Sequence, residues 1–442
     1  MLIRVGRGAL ILGVLSCGTP SSSAAPDGGT EAGPPSGGLA DASPAPLGVF
    51  LTVTADRARS KLPNRVFLND ADGKLLAEIE TDADGKAWLS PAPSQVTILV
   101  DGESALFTFT GVVDGDVLTL SGGAGPTTQN VLLGTYLVQL PGAVSGATQY
   151  SARVGGCYDD PVVDDPMIVL PARVESLCVF NKGNAVIATA FDTTSALAFA
   201  WKSGLSLSGP NGFTDVALGP WAPAVRTTFG RKPLLAGGLV ADVAFLYALV
   251  GTEPILLTTL QLSEAEAVVD VPPGLVFRTA LTVAPEPNAS IYRDSNVTFV
   301  MKNVASGPFV VDPAEALPRI TSSSLVADED GRFSVRWSPA GSLAGADGGL
   351  VGLSLAGGAA PRGSWTFVVP PGATELRTPQ LSSNAFRYSG TPIGVPGAIF
   401  LDSDAVDGFK QFRTTPTPPD GLGAFRRLLP EQAGLRWRTV TR

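Results

Sequence analysis

The stretch Leu76-Ala77-Glu78-Ile79-Glu80-Thr81-Asp82-Ala83-Asp84-Gly85 contains both a strand pattern and a turn. Its first six residues alternate in polarity, which is the period of a half-buried β-strand. The next four residues end in Asp-Gly, where glycine supplies the positive φ that a tight hairpin needs. The stretch therefore predicts a strand that ends in a hairpin turn.

Short β-favouring runs separated by turn residues recur along the whole chain. Further strands are predicted at 51–54, 96–100, 106–110, 117–120, 136–140, 174–180, 185–191, 196–201, 297–301, 333–337, 365–369 and 435–440, and a further hairpin turn at 70–73. The 51 glycines and 37 prolines favour turns over helices. The sequence therefore predicts an all-β fold of tandem β-sandwich modules.

The first of these modules resembles a known family. Val66-Phe67-Leu68-Asn69-Asp70, Gly73-Lys74 and Glu80-Thr81-Asp82-Ala83-Asp84-Gly85-Lys86-Ala87 are similar to the carboxypeptidase regulatory-like (transthyretin-like) β-sandwich family, within residues 48–100. The resemblance implies Ig-like or transthyretin-like sandwiches that act as non-catalytic scaffolds, and it brings no active-site residue. Asp328-Glu329-Asp330-Gly331-Arg332 repeats the turn pattern, either in a second sandwich of this kind or by convergence on good hairpin chemistry.

The amino terminus has the pattern of a secretory signal. Arg4 and Arg7 precede the apolar run 8–15, and Ser16 and Cys17 follow it. The apolar run is too short to span a bilayer, which takes about 20 residues. A soluble secreted protein with ordinary signal cleavage is the alternative, and a cytoplasmic protein with an accidental apolar start is a remoter one.

Val14-Leu15-Ser16-Cys17 resembles the lipobox of bacterial lipoproteins. That resemblance implies cleavage before Cys17 and a lipid on its sulfur, which makes a membrane the predicted partner. Gly18 in place of Asp implies the outer membrane, with the protein facing the periplasm or the cell surface. Residues 18–46 are almost all small or polar, so they cannot bury enough surface to order and are expected to form a tether.

Shifts in composition divide the chain into six segments. These are the signal peptide (1–16), the disordered tether (17–47), the carboxypeptidase regulatory-like sandwich (48–125), a β-rich domain with a disulfide (126–232), a β-rich module (233–318) and a C-terminal sandwich (319–442). Residues 234–251 are the most apolar stretch of the mature chain. Gly237-Gly238 and Asp242 argue against a membrane-spanning helix and leave a buried strand pair or one core helix.

The composition excludes several classes of function. The chain has no histidine, so Ser-His-Asp and Cys-His sites and zinc sites with imidazole ligands cannot form. Ser-x-x-Lys, Gly-x-Ser-x-Gly and phosphate-loop motifs are also missing. The net charge of −9 argues against nucleic acid as a partner, since phosphate binding needs a basic face.

Two cysteines remain once Cys17 is assigned to the lipid. Cys157 and Cys178 predict one disulfide in an exported chain. It would close a loop of about 22 residues and contribute about 3 kcal/mol on the chain-entropy model. Two free buried thiols are the alternative.

Calcium is the one cofactor for which the sequence offers candidate ligands. The candidate aspartates are Asp159, Asp160, Asp164 and Asp165 in one loop, and Asp402, Asp404 and Asp407 before Gly408. Acid-rich loops can supply the six to eight oxygen ligands that calcium takes. The alternative is that these are solvated turn aspartates.

Two aromatic residues and four arginines are candidate contacts for a ligand. Trp337 and Trp365 could stack on sugar rings, although tryptophan in an alternating strand is commonly a core residue. The arginines at 426, 427, 436 and 438 could meet an anionic partner, or be solvated and protect a sheet edge.

Together these features predict a lipid-anchored cell-envelope protein with a non-enzymatic binding, adhesive or structural role. The predicted partners are the membrane and an envelope protein or polysaccharide. The alternative is a glycan-processing enzyme that uses paired carboxylates and no histidine.

Overall fold

The computed structural model describes residues 48–54, 63–100, 105–121, 131–157, 162–163, 169–175, 183–209, 212–231, 240–261, 266–284, 298–355, 363–382, 392–404, 406–414 and 436–441. The predicted signal peptide, the lipidated Cys17 and the tether lie outside these residues.

The protein is all-β with a sandwich-type fold, which confirms the predicted fold class. In chain order the strands are β1 (Val49–Thr54), β2 (Arg65–Asn69), β3 (Leu75–Glu80), β4 (Lys86–Leu89), β5 (Gln95–Val100), β6 (Ala105–Thr110), β7 (Val117–Ser121), β8 (Leu132–Gln139), β9 (Gln149–Arg153), β10 (Val162–Val163), β11 (Val169–Glu175), β12 (Val186–Phe191), β13 (Ala196–Lys202), β14 (Phe213–Ala217), β15 (Ala222–Pro223), β16 (Val225–Arg231), β17 (Val240–Val250), β18 (Glu253–Gln261), β19 (Glu266–Val271), β20 (Val276–Ala284), β21 (Thr298–Val304), β22 (Phe309–Val311), β23 (Ile320–Ala327), β24 (Phe333–Pro339), β25 (Gly348–Leu355), β26 (Gly363–Val369), β27 (Glu375–Arg377), β28 (Pro392–Ser403) and β29 (Arg436–Thr441). A 3-10 turn (Pro313–Glu315) and one short helix, α1 (Gly408–Thr414), are the helical elements of the described part.

The strands form one large sheet and several small ones. The large sheet has the order β18-β17-β20-β21-β29-β28-β25-β26-β6-β5-β2-β3. The small sheets are β4-β1-β7, β11-β8-β14, β10-β9-β12-β13-β15, β19-β16-β22 and β23-β24-β27. Within the large sheet, β6 and β26 pair in parallel and join the beginning of the described chain to its last third.

Cores lie on both faces of the large sheet around β2 and β5. Val66 of β2 packs in a core shared with the β4-β1-β7 sheet, whereas Phe67 packs on the opposite face with the β23-β24-β27 sheet. Likewise Ile98 and Leu99 of β5 enter different cores. A strand that is buried on both faces reads as a continuous apolar run, which explains the sequence of residues 96–100.

Two further cores lie in the middle of the chain. Phe229 and Phe309 of the β19-β16-β22 sheet pack with Leu246 of β17 in the third core. The β11-β8-β14 and β10-β9-β12-β13-β15 sheets enclose the fourth core. Val186 of β12 faces the fourth core and Ile187 faces the third, so this five-stranded sheet separates them.

Three turns with the predicted Asp-Gly chemistry share one geometry. The N–H of the first aspartate donates to the carbonyl four residues later at 3.1 Å (Asp70 to Lys74), 2.8 Å (Asp82 to Lys86) and 2.8 Å (Asp328 to Arg332). The glycines have φ values of 76° at Gly73, 77° at Gly85 and 79° at Gly331. The prediction of a hairpin at 70–73 is therefore confirmed, because this turn joins the paired strands β2 and β3. A turn is also present at 82–85, but the hairpin prediction there is wrong, because β3 and β4 lie in different sheets.

The most apolar stretch of the mature chain forms a strand and not a helix. Its described part, 240–250, is β17, which pairs with β18 on one side and β20 on the other. A strand between two neighbours in a covered sheet tolerates an almost unbroken apolar sequence. No helix in the described part of the chain is long and apolar enough to cross a membrane.

The final strand lies inside the large sheet. β29 pairs with β21 and with β28, so the suggestion that its arginines protect a sheet edge is wrong. The arginines at 426 and 427 lie outside the described residues.

The sheets and cores cross the predicted segment boundaries. The first core combines Leu51 and Phe109 with Phe245 from segment 233–318 and with Val368 and Phe412 from segment 319–442. The division into separate modules stays a prediction, because nothing in this packing tests whether each segment folds alone.

Candidate functional site: a groove between sheets

Of the three cysteines, only Cys157 lies among the described residues. It is 8% exposed, and its Sγ lies 4.0 Å from the carbonyl oxygen of Glu175, three residues before Cys178 in the sequence. Since Cys178 and Cys17 lie outside the described residues, the disulfide and the lipidation stay predictions.

The structure does not assemble the second set of predicted calcium ligands. Asp402 lies one residue before the end of β28, Asp404 follows the strand, and Asp407 precedes α1. Within the residues that the structure describes, no three acidic or cysteine side chains lie close enough to hold a metal ion. The structure therefore does not bring Asp402, Asp404 and Asp407 together, because the chain spreads them over a strand end and a helix start. The first set, Asp159, Asp160, Asp164 and Asp165, lies outside the described residues.

Trp337 and Trp365 are core residues. They are 3% and 6% exposed and belong to the second core, where Trp337 packs on Phe400. The Trp365 Nε1 donates to Thr108 Oγ1 at 2.8 Å. Because neither ring presents a face to solvent, the prediction that they stack on sugars is wrong and the core interpretation holds.

The Asp-Gly turns bind arginines. Around Asp328 and Asp330, Arg377 contacts both carboxylates at 2.6 and 3.1 Å, and Arg332 contacts Asp330 at 2.7 Å. The Arg332 side-chain hydrogen bond lowers the pKa of Asp330 most strongly. Arg332 also donates to the carbonyl of Asp72 at 2.7 Å, so the turns at 70–73 and 328–332 touch. These aspartates have a structural role between two parts of the chain.

An open groove with a volume of about 200 Å³ lies where the five-stranded sheet meets the third core. We call it the junction groove, and its walls are the edge strands β18 and β19 and the strands β9, β12 and β13. Its apolar floor includes Ile187, Phe199, Leu257, Leu260 and Val269. These positions belong to the third core or pack against it, so the groove is the mouth of that core.

One end of the junction groove is fixed by Arg153. Its Nη1 donates to the carbonyls of Leu256 and Leu257 at 3.3 and 3.2 Å. The N–H of Leu256 donates to the carbonyl of Gly155 at 2.9 Å. These bonds attach the end of β9 to the edge strand of the large sheet, so the guanidinium is held in place by backbone.

The other end of the groove is fixed by Asp270. One oxygen accepts from the N–H of Ala196 at 3.2 Å, and the other accepts from Arg226 at 3.3 Å. Asp270 is 15% exposed, whereas Arg226 is 66% exposed on the neighbouring strand. The carboxylate is therefore oriented at the rim by a backbone donor and an exposed cation.

A tight turn positions the hydroxyls on the rim. Asp192 accepts from the N–H groups of Thr194 and Ser195, both at 2.6 Å. These bonds, that from Thr194 first, lower the pKa of Asp192. Thr194 and Ser195 both line the groove. The local sequence thus holds two hydroxyl-bearing residues at the entrance.

A threonine of the groove wall has a buried serine as its neighbour on the next strand. Thr189 of β12 lines the groove and pairs directly with Ser151 of β9. Directly paired residues share a face of the sheet, so both hydroxyls lie on the groove side. They are 5% and 3% exposed, and the Ser151 Oγ has no hydrogen-bond partner. A buried hydroxyl without a partner is costly and calls for an explanation.

A second surface feature lies on the β4-β1-β7 sheet. Phe50 of β1 pairs with Trp88 on one side and with Val117 on the other. Trp88 and Val117 are 48% and 52% exposed, and the Trp88 ring occupies the space where a Cβ on Gly48 would lie. We refer to these three side chains as the apolar row.

Sequence reasoning missed the junction groove completely. Its residues come from five strands that are far apart in the chain, and no short motif contains two of its charged groups. The single local signal is the polar alternation of Gln149, Ser151 and Arg153 along β9, which indicates a strand face that is not pure core.

Comparison with known proteins adds no family. No family model and no curated protein matches the chain. A solved structure of the Bacillus anthracis TIE protein is 9% identical over 60% of this chain and 50% of that chain, with a TM-score of 0.14. The native conformation of Escherichia coli alpha-2-macroglobulin is 11% identical over 85% of this chain and 26% of that chain, with a TM-score of 0.10. At these values neither likeness carries an argument about fold or function.

Proposed function

We propose that the chain is a lipid-anchored protein of the cell envelope, exported by its signal peptide to the outer membrane, whose β-sandwich body binds a ligand without catalysing a reaction. Cys17 carries the lipid, the tether holds the body away from the membrane, and the Cys157–Cys178 disulfide stabilises segment 126–232. Segment 48–125 is a carboxypeptidase regulatory-like scaffold.

The observation that carries the binding role is the junction groove. Binding sites are typically concave and mostly apolar, with a few polar groups that orient the ligand. The groove has this composition, since Ile187 and Phe199 lie on its floor and Thr189 and Asp270 on its walls. Rigid strands carry these side chains, which favours a preformed site.

The electrostatics of the described carboxylates favour binding over acid catalysis. A glycosidase needs a second carboxylate about 5–9.5 Å from the first, and a general acid with a raised pKa. Asp270 is the one carboxylate among the described residues that line the groove. Elsewhere, hydrogen bonds from Ser382 and Arg65 lower the pKa of Glu78, with Ser382 contributing most.

The membrane part of the proposal is tested on the full chain produced in a Gram-negative host. We expect mass spectrometry to find an acylated amino-terminal Cys17, and Cys17→Ser to release the protein from the membrane fraction. An unacylated amino terminus on the mature wild-type protein would contradict the anchor.

The binding part is tested with the mature protein and envelope extracts. We expect immobilised protein to retain envelope polysaccharide or protein, and the retained material to keep its original size. Shortened glycan products that accumulate with time would instead support the alternative, a glycan-processing enzyme.

A further inference from the structure

We propose that the junction groove binds one neutral sugar residue of a larger glycan, an assignment that rests on the binding role proposed above. It names the ligand class and the residues that select it.

The dimensions of the groove fit one sugar ring. Its volume of about 200 Å³ leaves room for several water-sized groups. That space suits a single pyranose with its hydroxyls. Since the groove is open on one side, the remainder of a glycan chain can continue into solvent.

The lining matches the two kinds of surface that a sugar presents. The C–H groups of a pyranose form an apolar face, for which the half-buried side chains of Phe191 and Leu260 provide a complement. Its hydroxyls each need donors and acceptors, and threonine or serine hydroxyls supply both functions from one atom. Thr189 and Thr258 line the groove on opposite walls.

The charges in the groove favour a neutral ligand over an ion. Arg153 already donates to two backbone carbonyls, and Asp270 already accepts from Arg226 and a backbone N–H. Both charged groups of the lining are thus engaged by protein partners, and the remaining lone pairs of Asp270 can accept from ligand hydroxyls. This arrangement favours a ligand without net charge over an anion or a cation.

The Ser151 hydroxyl gives an independent indication that a polar ligand completes the wall. It is buried and without a partner, and it lies directly opposite Thr189. A ligand oxygen that reached this hydroxyl would supply the partner that it lacks.

The test measures binding of methyl glycosides by isothermal titration and ligand-observed NMR. The ligands are methyl glucoside, galactoside, mannoside and N-acetylglucosaminide, with methyl glucuronide as the charged match for glucose. We expect at least one neutral glycoside to bind, and the glucuronide to bind about tenfold or more weakly than glucoside, because burying its carboxylate without a partner is costly.

Two groove variants with matched controls locate the site. Thr189→Val should weaken binding about tenfold through one lost hydrogen bond. Ala196→Leu should abolish binding because its side chain fills the groove. The controls carry the corresponding changes on the β11-β8-β14 sheet, away from the groove. Thr135→Val replaces a buried threonine and Ala217→Leu an exposed alanine, and both variants should bind the glycoside as tightly as wild type does. Circular dichroism and thermal unfolding check that each variant is folded.

Each remaining outcome distinguishes this inference from the general binding role. If glycosides bind equally well to Thr189→Val and Ala196→Leu but not to Trp88→Ala, the sugar site is the apolar row and the groove assignment is wrong. If envelope material is retained but no glycoside binds, the sugar class is wrong and the binding role stands. If nothing is retained, both proposals fail.

Discussion

The ion pair between Arg413 and Asp116 is almost completely buried. Their side chains are 4% and 0% exposed, and Nη2 lies 2.7 Å from Oδ2. Arg413 also donates to the carbonyl of Gly111 and lies over the ring of Phe409, with 5.0 Å to its centroid. The pair thereby attaches α1 to the loop between β6 and β7.

Removing one partner of this pair should be strongly destabilising. Arg413→Met leaves the Asp116 carboxylate buried without its cation, and the free energy of unfolding should fall by about 3–5 kcal/mol. Arg336→Met breaks the Arg336–Glu375 pair, whose side chains are 66% and 68% exposed, and should cost at most about 1 kcal/mol. Urea unfolding measures both, and equal losses would show that the burial of the pair is unimportant.

Tyr136 predicts how stability changes at alkaline pH. Burial, and then the nearby charge of Glu253, raises the pKa of Tyr136 to about 12. A raised folded-state pKa gives stability that is complete below the unfolded value of about 10 and is lost as the pH rises towards 12. Tyr136→Phe also loses the bond to the Gly183 carbonyl, so wild type should be more stable at pH 8. This advantage should shrink between pH 10 and 12 in urea titrations, and a constant difference would contradict it.

At the scale of elements, the Asp-Gly turns were predictable because their chemistry is local. An aspartate side chain, a glycine with positive φ and a closing hydrogen bond lie within five residues of each other, so the sequence contains the whole cause. Most strands were predictable for the same reason. Which strands would pair was not, because a pattern of apolar residues describes a face and not a neighbour.

The glycine requirement of these turns can be measured without a clash. A Cβ on Gly331 would meet no atom within 4 Å, so Gly331→Ala tests only its φ of 79°. We expect a loss of about 1–2 kcal/mol in the free energy of unfolding. Gly219 also has open space but no positive φ, so Gly219→Ala should be neutral or stabilise by about 0.4–1 kcal/mol. Similar values for the two variants would show that the turn is not strained by alanine.

At the scale of the whole molecule, the large sheet makes distant segments depend on each other. Segment 48–125 contributes β6, whose neighbour β26 lies in segment 319–442. Segment 126–232 contributes Ile187, Phe199 and Phe229 to the third core, but it also contains the whole fourth core, from Tyr136 to Val216. The two segments should therefore behave differently when they are isolated.

We expect the isolated segment 126–232 to fold and the isolated segment 48–125 to aggregate or remain partly disordered. Without its partners, segment 48–125 exposes Phe67, Leu99 and Leu106, which are buried in the second core. Amide dispersion in NMR spectra and cooperative thermal unfolding distinguish the two behaviours. A well-folded, monomeric 48–125 fragment would show that the sheet contacts of β6 are dispensable.

The sequence predicted the class of the fold but not the large sheet or the groove. Trp337 and Trp365 illustrate the limit of sequence-based prediction. An alternating pattern does not show which face of a strand is buried until the sheet that packs against it is known. The junction groove is harder still, because Arg153, Thr189 and Asp270 come from three strands that only the tertiary structure brings together. Their residue types are ordinary, and the chemistry arises from placement.

Because β6 pairs in parallel with β26, β6 cannot complete its pairing until a much later part of the chain has been synthesised. Thr110 donates to the carbonyl of Val368, 258 positions later in the chain. At about 5–20 residues per second, a ribosome needs roughly 15–50 s to supply that distant stretch. During that interval the edge of β6 has unpaired backbone N–H and C=O groups, which can pair with a strand of another nascent chain. The yield of correctly folded protein should therefore fall as the concentration of nascent chains rises. It should increase when chaperones cover these chains until the last third has been synthesised.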